Sequence, residues 1–317
     1  MKIKKIKKVF PNQKIARYNL AVWKKKESDS VYFIGREVSK AGLFGQPDTG
    51  VLKMFEINSN GNVVHERIIW EPSYDGISLE DPRVMEFPKE NLAIGLTAVL
   101  RDKNGTPKPF PAIINIDSHS TWNKELPPFL IISIFGSGKN VTPLAKSIYL
   151  FRPDDHYYDH KLLVFSTNHP IPKKIGVINL PDNLSWAKYK IGTAMPPIWF
   201  NKNEALFIVH GITKRKINGH LKYIYSLGRA KLTREGNRFK AIVAKDPILT
   251  PDNFLDKDGV PLVKELHPRL RRVVYSCGGL IKKSKKDTLS LYVNVGDRTT
   301  FEVEFSLEEL KQGLFNN

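Results

Sequence analysis

The sequence predicts an all-β fold, and its spacing favours a five-bladed β-propeller that ends in one short helix. Short runs rich in Val, Ile, Tyr and Phe alternate with clusters of Gly, Pro, Asn and Asp. Helical periodicity is absent until SLEELKQGLF, near residue 306. Strand clusters recur at very roughly 50 to 60 residues, which allows about five four-stranded blades in a chain of 317 residues.

In chain order the strand candidates are VYFIGRE at 31, VLKMFEI at 51, NLAIGLTAVL at 91, AIINID at 112 and SIYLFRP at 147. KLLVFST at 161, ALFIVHG at 205, KYIYSLGRAKL at 222 and SLYVNVG at 290 complete the set. Their β-branched and aromatic side chains suit a pleated, half-buried surface. Turns are expected at NSNGN (58), DKNGT (102) and KDG (257), where Asn, Asp and Gly accept left-handed backbone. In the final segment Ser306 stands as N-cap with Glu309 three residues on, the spacing of a capping box. A sandwich or barrel has the same local signals, and the recurrence is what favours a propeller. No long linker interrupts the pattern, so residues 1–317 are expected to form a single domain.

With 41% hydrophobic and 26% charged residues the chain belongs with soluble globular proteins, not disordered ones. No window approaches the roughly 18 apolar residues of a membrane span. The start, MKIKKIKKVF, lacks the apolar stretch of a secretory signal. The single cysteine, Cys277, precludes an internal disulfide and fits a reducing compartment, so the cytoplasm is expected. Its setting, VVYSCGGL, reads as a small buried hydrophobe rather than a nucleophile. The net charge of +18 would attract nucleic acid, an anionic polymer or phosphate. However, its lysines fall in scattered runs, KIKKIKK, WKKKES, ITKRKING and IKKSKKD, beside turns and strand ends. That scatter reads as solvated surface rather than a nucleic-acid footprint. The histidines lack ligand spacing, so no metal or other cofactor is expected.

Chemistry concentrates in YDGISLEDPRVMEF at 74–87, where a carboxylate pair is followed by Pro and Arg just before a strand. Proline fixes the backbone after Asp81, and Arg83 can orient a neighbouring carboxylate. Taken alone the segment reads more readily as an Asp-Pro turn with a surface ion pair. A second set is basic and dispersed: Arg36, Arg152, Lys190 and His210 each close or follow an apolar run. Convergent Arg, Lys and His would suit an oxyanion such as phosphate, whereas each alone reads as a satisfied strand-end residue.

In order along the chain, ARYNLAVW, FIGRE, ISLEDPRV, SGKNVTPL with YLFRP, WAKYKIGTAMPPI with FIVHGI, YSLGRAKL, DPILTPD and VVYSCGGL resemble segments of glycoside hydrolase family 130. That family comprises β-mannoside phosphorylases and their hydrolytic relatives and forms five-bladed propellers. The resemblance implies that Asp81 is the general acid and that Arg152, Lys190 and His210 hold phosphate. It further implies that Asn19, Arg36, Glu80, Arg83 and Asp297 line the sugar site. Asn294 and Val295 depart from the family's segment before Asp297, which bears on sugar specificity.

The implied reaction is inverting phosphorolysis of a β-mannoside such as mannosyl-glucose or a β-mannooligosaccharide, giving mannose 1-phosphate. Phosphate is already an anionic nucleophile, so such a site needs one acid and several cations. An inverting hydrolase needs a second carboxylate, for which Glu37, Glu80 and Asp297 are candidates. A propeller that binds carbohydrate without catalysis is a third reading. The implied partners are an oligosaccharide and phosphate, and a homo-oligomer is compatible with the sequence.

Overall fold

With one exception, every strand pairing among the described residues of the computed structural model is antiparallel. The structure describes all residues except 1, 12–13, 25–27, 40–49, 72–76, 88–90, 118–129, 218, 265–271, 283–286 and 316–317. Residues 74–76 of the Asp81 segment and much of the lysine runs near 25 and 285 lie outside that set.

The chain opens with β1 (Ile3–Lys8), then β2 (Ala16–Trp23), β3 (Val31–Val38), β4 (Gly50–Ile57) and β5 (Val63–Trp70). Next come β6 (Ser78–Phe87), β7 (Asn91–Arg101), β8 (Pro107–Asp117) and β9 (Leu130–Ile131). They are followed by β10 (Gly138–Ala145), β11 (Ile148–Pro153), β12 (Lys161–Ser166) and β13 (Lys173–Asn179). The fourth stretch holds β14 (Lys190–Thr193), β15 (Ile198–Trp199), β16 (Glu204–Ile217), β17 (His220–Glu235) and β18 (Arg238–Val243). The last holds β19 (Val274–Lys282), β20 (Thr288–Val295), β21 (Thr299–Ser306) and the helix α1 (Leu307–Lys311). Each of the nine predicted strands matches one of these elements to within a residue at its ends or lies inside it, and the short terminal helix is present. Ser306 accepts from the Glu309 amide at 3.5 Å, as its N-cap position predicts.

Strands β6 to β9 form a four-stranded sheet, as do β10 to β13, and β14 to β18 form a five-stranded one. The remaining eight strands share one sheet, but among the described residues its two halves are joined by a single strand pairing, the parallel pair Arg17–Thr299. On one side of that join lies the meander β2–β3–β4–β5. On the other, β19, β20 and β21 are completed by β1, which runs antiparallel to β21 from Ile3–Phe305 to Lys8–Phe301.

Apolar side chains fill the spaces between successive sheets. One cluster joins Leu206, Ile208 and Leu227 to Val293, Val303 and Phe305. Another joins Leu150 and Val164 to Phe207 and Leu232, and a third joins Trp23 and Met54 to Ile94 and Leu96. Close approach is built in where β7 crosses β10: a Cβ on Gly95 would lie 2.3 Å from the Val141 carbonyl oxygen. Cys277 is fully buried among Val273 and Tyr275, and burial pushes its thiol up, which keeps it protonated. It behaves as the small hydrophobe its sequence context implies.

One expectation needs correction. The Glu-Asp-Pro-Arg segment does not precede a strand but lies inside β6, where pairing with β7 breaks between Glu80 and Arg83. A register break tolerates Pro82, which has no amide to contribute to the ladder.

Candidate active site

Register breaks recur on the first strands of the sheets. They fall between Tyr18 and Ala21 on β2, Glu80 and Arg83 on β6, Lys139 and Thr142 on β10, and Ser276 and Gly278 on β19. These strands adjoin one another: β2 touches β6 and β19, and β10 touches β6 and β14. Three of the breaks hold a polar residue with left-handed backbone, Asn19 (φ 54°), Asp81 (φ 52°) and Asn140 (φ 62°). Asp297, after β20, has φ 47°. Asn and Asp enter this region more readily than other residues that carry a Cβ. A bulge re-aims the side chain it carries, so Asn19, Asp81 and Asn140 leave the apolar alternation of their strands, and Asp297 adds a fourth polar group from the turn after β20.

Three of them join in one chain of hydrogen bonds. Asn19 donates from Nδ2 to Oδ1 of Asp81 at 2.6 Å, and Asn294 donates from Nδ2 to Oδ1 of Asn19 at 2.9 Å and to Oδ1 of Asp297 at 2.7 Å. Asp81 is partly exposed, as a group that meets a substrate must be. Glu80 pairs with Arg36 at 3.3 Å, and the Arg36 guanidinium lies 5.3 Å from the centre of the Tyr18 ring. Asn19, Arg36, Glu80, Asp81 and Asp297 therefore lie in one neighbourhood.

Arg83 has a different place from the one expected. It is 0% exposed, so it does not face a substrate channel. Its Nε donates to Ala194 O at 3.1 Å, Nη1 to Asp81 O at 2.8 Å, and Nη2 to Thr193 O at 3.1 Å and to the Tyr275 hydroxyl. Arg83 thus ties the Asp81 backbone to the end of β14 and to β19.

Arg152 and His210 lie close enough for their charges to couple. Burial, then the Arg152 and Arg83 cations, hold the His210 imidazole well below its ordinary range, so the ring is neutral near pH 7. Its Nδ1 lies 3.0 Å from the Thr193 carbonyl oxygen, which can only accept. The tautomer is therefore Nδ1–H, and Nε2 carries a lone pair. This corrects the sequence reading: His210 offers an acceptor, not a second cation. Arg152 is 6% exposed, and its Nε and Nη1 are buried without a hydrogen-bond partner in the protein. Orphan donors of that kind are costly unless a ligand uses them.

Lys190 is paired with two carboxylates. Its amine lies 3.2 Å from Asp159 Oδ1 and 3.9 Å from Asp154 Oδ1. Glu37, a candidate base, faces away from Arg36 by strand alternation and is held by Arg17 at 2.6 Å and Lys53 at 3.1 Å.

Sequence reasoning missed Asn140, Tyr275 and the role of Asn294. Asn140 donates from Nδ2 to the Tyr275 hydroxyl at 2.6 Å, while its buried Oδ1 has no partner in the protein. The Tyr275 oxygen thus receives both Asn140 and Arg83, and its ring meets the His210 ring at 4.7 Å, tilted 62°. Gly192 makes room for this cluster, since a Cβ there would lie 2.6 Å from His210 Cε1 and 2.8 Å from Asn140 Oδ1. A depression of about 390 Å³ bordered by Phe10, Arg17 and Gly61 lies elsewhere and includes none of the candidate residues.

No family model and no curated protein matches the chain in sequence. Solved structures do match it in shape. The β-1,2-mannobiose phosphorylase of Listeria innocua superposes with a TM-score of 0.63 at 15% identity, covering 96% of this chain and 94% of that one. The chain has the fold of that enzyme. A glycoside hydrolase family 130 structure, from work on hydrolases that target β-1,2 mannosidic linkages in Candida mannan, gives 0.62 at 12% identity, with 93% and 86% covered. The GDP-Man-dependent mannosyltransferase MPT-1 of Leishmania mexicana gives 0.55 at 16% identity, with 94% and 86% covered. One fold thus carries phosphorolysis, hydrolysis and transfer among these neighbours.

Proposed function

We propose that this chain is an inverting β-mannoside phosphorylase, built as a single five-bladed propeller whose blades are the three smaller sheets and the two halves of the large one. The observation that carries the reading is Arg152, whose two buried, unpartnered N–H donors lie beside a neutral His210. Guanidinium donors suit a phosphate dianion, and a lone pair at His210 Nε2 suits the single O–H of monohydrogen phosphate.

In the proposed reaction a phosphate oxygen attacks the anomeric carbon, and the bond from that carbon to the leaving sugar oxygen breaks. The leaving oxygen takes its proton from Asp81, directly or through a sugar hydroxyl, to give mannose 1-phosphate and the remaining sugar. Asn19 would keep Asp81 aimed, and Arg36, Glu80 and Asp297 would bind sugar hydroxyls. The substrates are mannosyl-glucose or a β-mannooligosaccharide together with inorganic phosphate, and no other cofactor enters. A reducing compartment such as the cytoplasm suits the single buried thiol.

Hydrolysis on the same scaffold is the second reading. It is favoured by Lys190, which is turned to Asp159 and Asp154 and so does not add to the anion site. Incubation with a panel of β-mannosides and phosphate separates the two. Consumption of phosphate with release of mannose 1-phosphate is expected, release of free mannose would establish the hydrolase, and turnover of no mannoside would sink both.

A further inference from the structure

The β16–β17 hairpin is longer than its sheet. Strand β14 pairs with β16 only from Lys190–Ile212 to Thr193–Val209, and β18 pairs with β17 only between Ala230 and Glu235. Residues 213–217 and 220–224 therefore continue as a two-stranded ribbon, with no third strand of the sheet beside it among the described residues. A bare two-stranded ribbon is marginal in water, so one with a defined place is expected to have a use.

Its register ties it to the candidate site. Directly paired residues share a face, and alternation puts His210, Ile212, Lys214 and Lys216 on one face of β16 with Leu227, Tyr225, Tyr223 and Leu221 opposite them on β17. That face thus runs from His210, past Tyr225, out to the tip. Tyr225 packs against Val273, Tyr275 and Cys277, and burial pushes its phenol up to about 12. Beyond it, Tyr223 is 40% and Leu221 65% exposed. Lys214 Nζ lies 3.7 Å from the centre of the Tyr189 ring and 5.2 Å from that of Tyr223, and the two rings are 5.5 Å apart. The ribbon carries Lys214, Arg215, Lys216 and Lys222, and no Asp or Glu occurs between Glu204 and Glu235.

We propose that this ribbon is an outer subsite for the distal part of the substrate, and that it takes a saccharide chain bearing carboxylate, sulfate or phosphate groups. Aromatic rings present flat apolar faces on which the C–H face of a sugar can lie, and the lysines supply the opposite charge. The ribbon is the outward continuation of the face that carries His210, so a chain seated there leads into the site. The proposal rests on the saccharide reading above but not on which reaction follows.

The test is binding and turnover measured separately. Wild-type protein, its Asp81→Asn variant and a Lys214→Glu/Lys216→Glu/Tyr223→Ala variant are titrated by calorimetry with an oligo-β-mannuronate hexamer and with neutral β-mannohexaose. Wild type and Asp81→Asn should bind the charged hexamer at least tenfold more tightly than the neutral one. The ribbon variant should lose that preference, while turnover of a neutral disaccharide stays within about twofold. Equal affinity for the two hexamers, or a preference that survives the ribbon substitutions, would overturn the proposal. So would tighter binding to double-stranded DNA or to vesicles of anionic lipid than to the charged hexamer. If no mannoside is turned over yet the charge preference appears and follows the ribbon, the reaction reading fails and the subsite stands.

Discussion

Asn19 donates to Asp81 Oδ1 at 2.6 Å while its own Oδ1 accepts from Asn294 at 2.9 Å, so the amide that holds this carboxylate cannot flip without losing both bonds. Both Asn19 and Asp81 have left-handed backbone at a register break. The Asp81 carboxylate is thus aimed by two bulges on neighbouring strands and by one amide between them.

Replacing Asp81 by Asn removes the proton but keeps the shape. Turnover of an unactivated β-mannoside should fall by about 10² to 10⁴, the usual scale for a lost general acid, with little change in substrate binding. Asn19→Leu should act in the same direction but less, on the order of tenfold, as for the loss of one directed hydrogen bond. Steady-state kinetics on the disaccharide check both, and near-normal turnover in the Asp81 variant would exclude it as the acid.

Arg152→Ala removes the orphan donors. The KM for phosphate should rise by tenfold or more while the KM for sugar stays nearly constant, because the lost contacts are to the anion alone. Equal effects on both constants would place Arg152 outside the anion site.

His210 makes stability depend on pH. Its imidazole is held well below the ordinary value near 6.5 in the fold, so below that pH the unfolded chain takes up a proton that the folded chain refuses. The contribution is therefore complete above about pH 6.5 and is lost as pH falls, by at most about 1.4 kcal/mol per unit. Urea midpoints of wild type and His210→Gln between pH 5 and 7.5 should show the steeper slope in wild type. Parallel slopes would mean that His210 titrates normally.

Arg83→Met should cost at least about 3 kcal/mol, since it removes four hydrogen bonds at once and leaves the Ala194 and Asp81 carbonyl oxygens without the guanidinium donor, while Thr193 O keeps only His210 and the Tyr275 hydroxyl only Asn140. A lower urea midpoint with an unchanged slope is the expected result. An unchanged midpoint would show that β6, β14 and β19 are held together without it.

Most of the strand framework was legible in the sequence because period-2 alternation and Asn-Gly turns are local signals. The site was legible in part. Asp81, Arg36 and Asp297 stand in segments whose order resembles a known family, but Asn140 sits at a bulge, where alternation breaks and carries no message. Tyr275 lies in an apolar run and reads as core, although its hydroxyl gathers Arg83 and Asn140. The state of His210 depends on the Thr193 carbonyl, a partner that only the pairing of β14 with β16 brings near. Asn294, which reads as a departure from the family pattern, is the residue that links Asp297 to Asn19.

Strand β1 is synthesised first but pairs with β21, so its partner does not exist until residues 301–305 have been made. At about 5 to 20 residues per second the nascent chain carries an unpaired strand for roughly 15 to 60 seconds. A bare edge of that kind invites pairing with other chains, and lysines along it are a known deterrent. The run KIKKIKK, whose side chains are largely exposed, is suited to keep that strand solvated until β21 has been made.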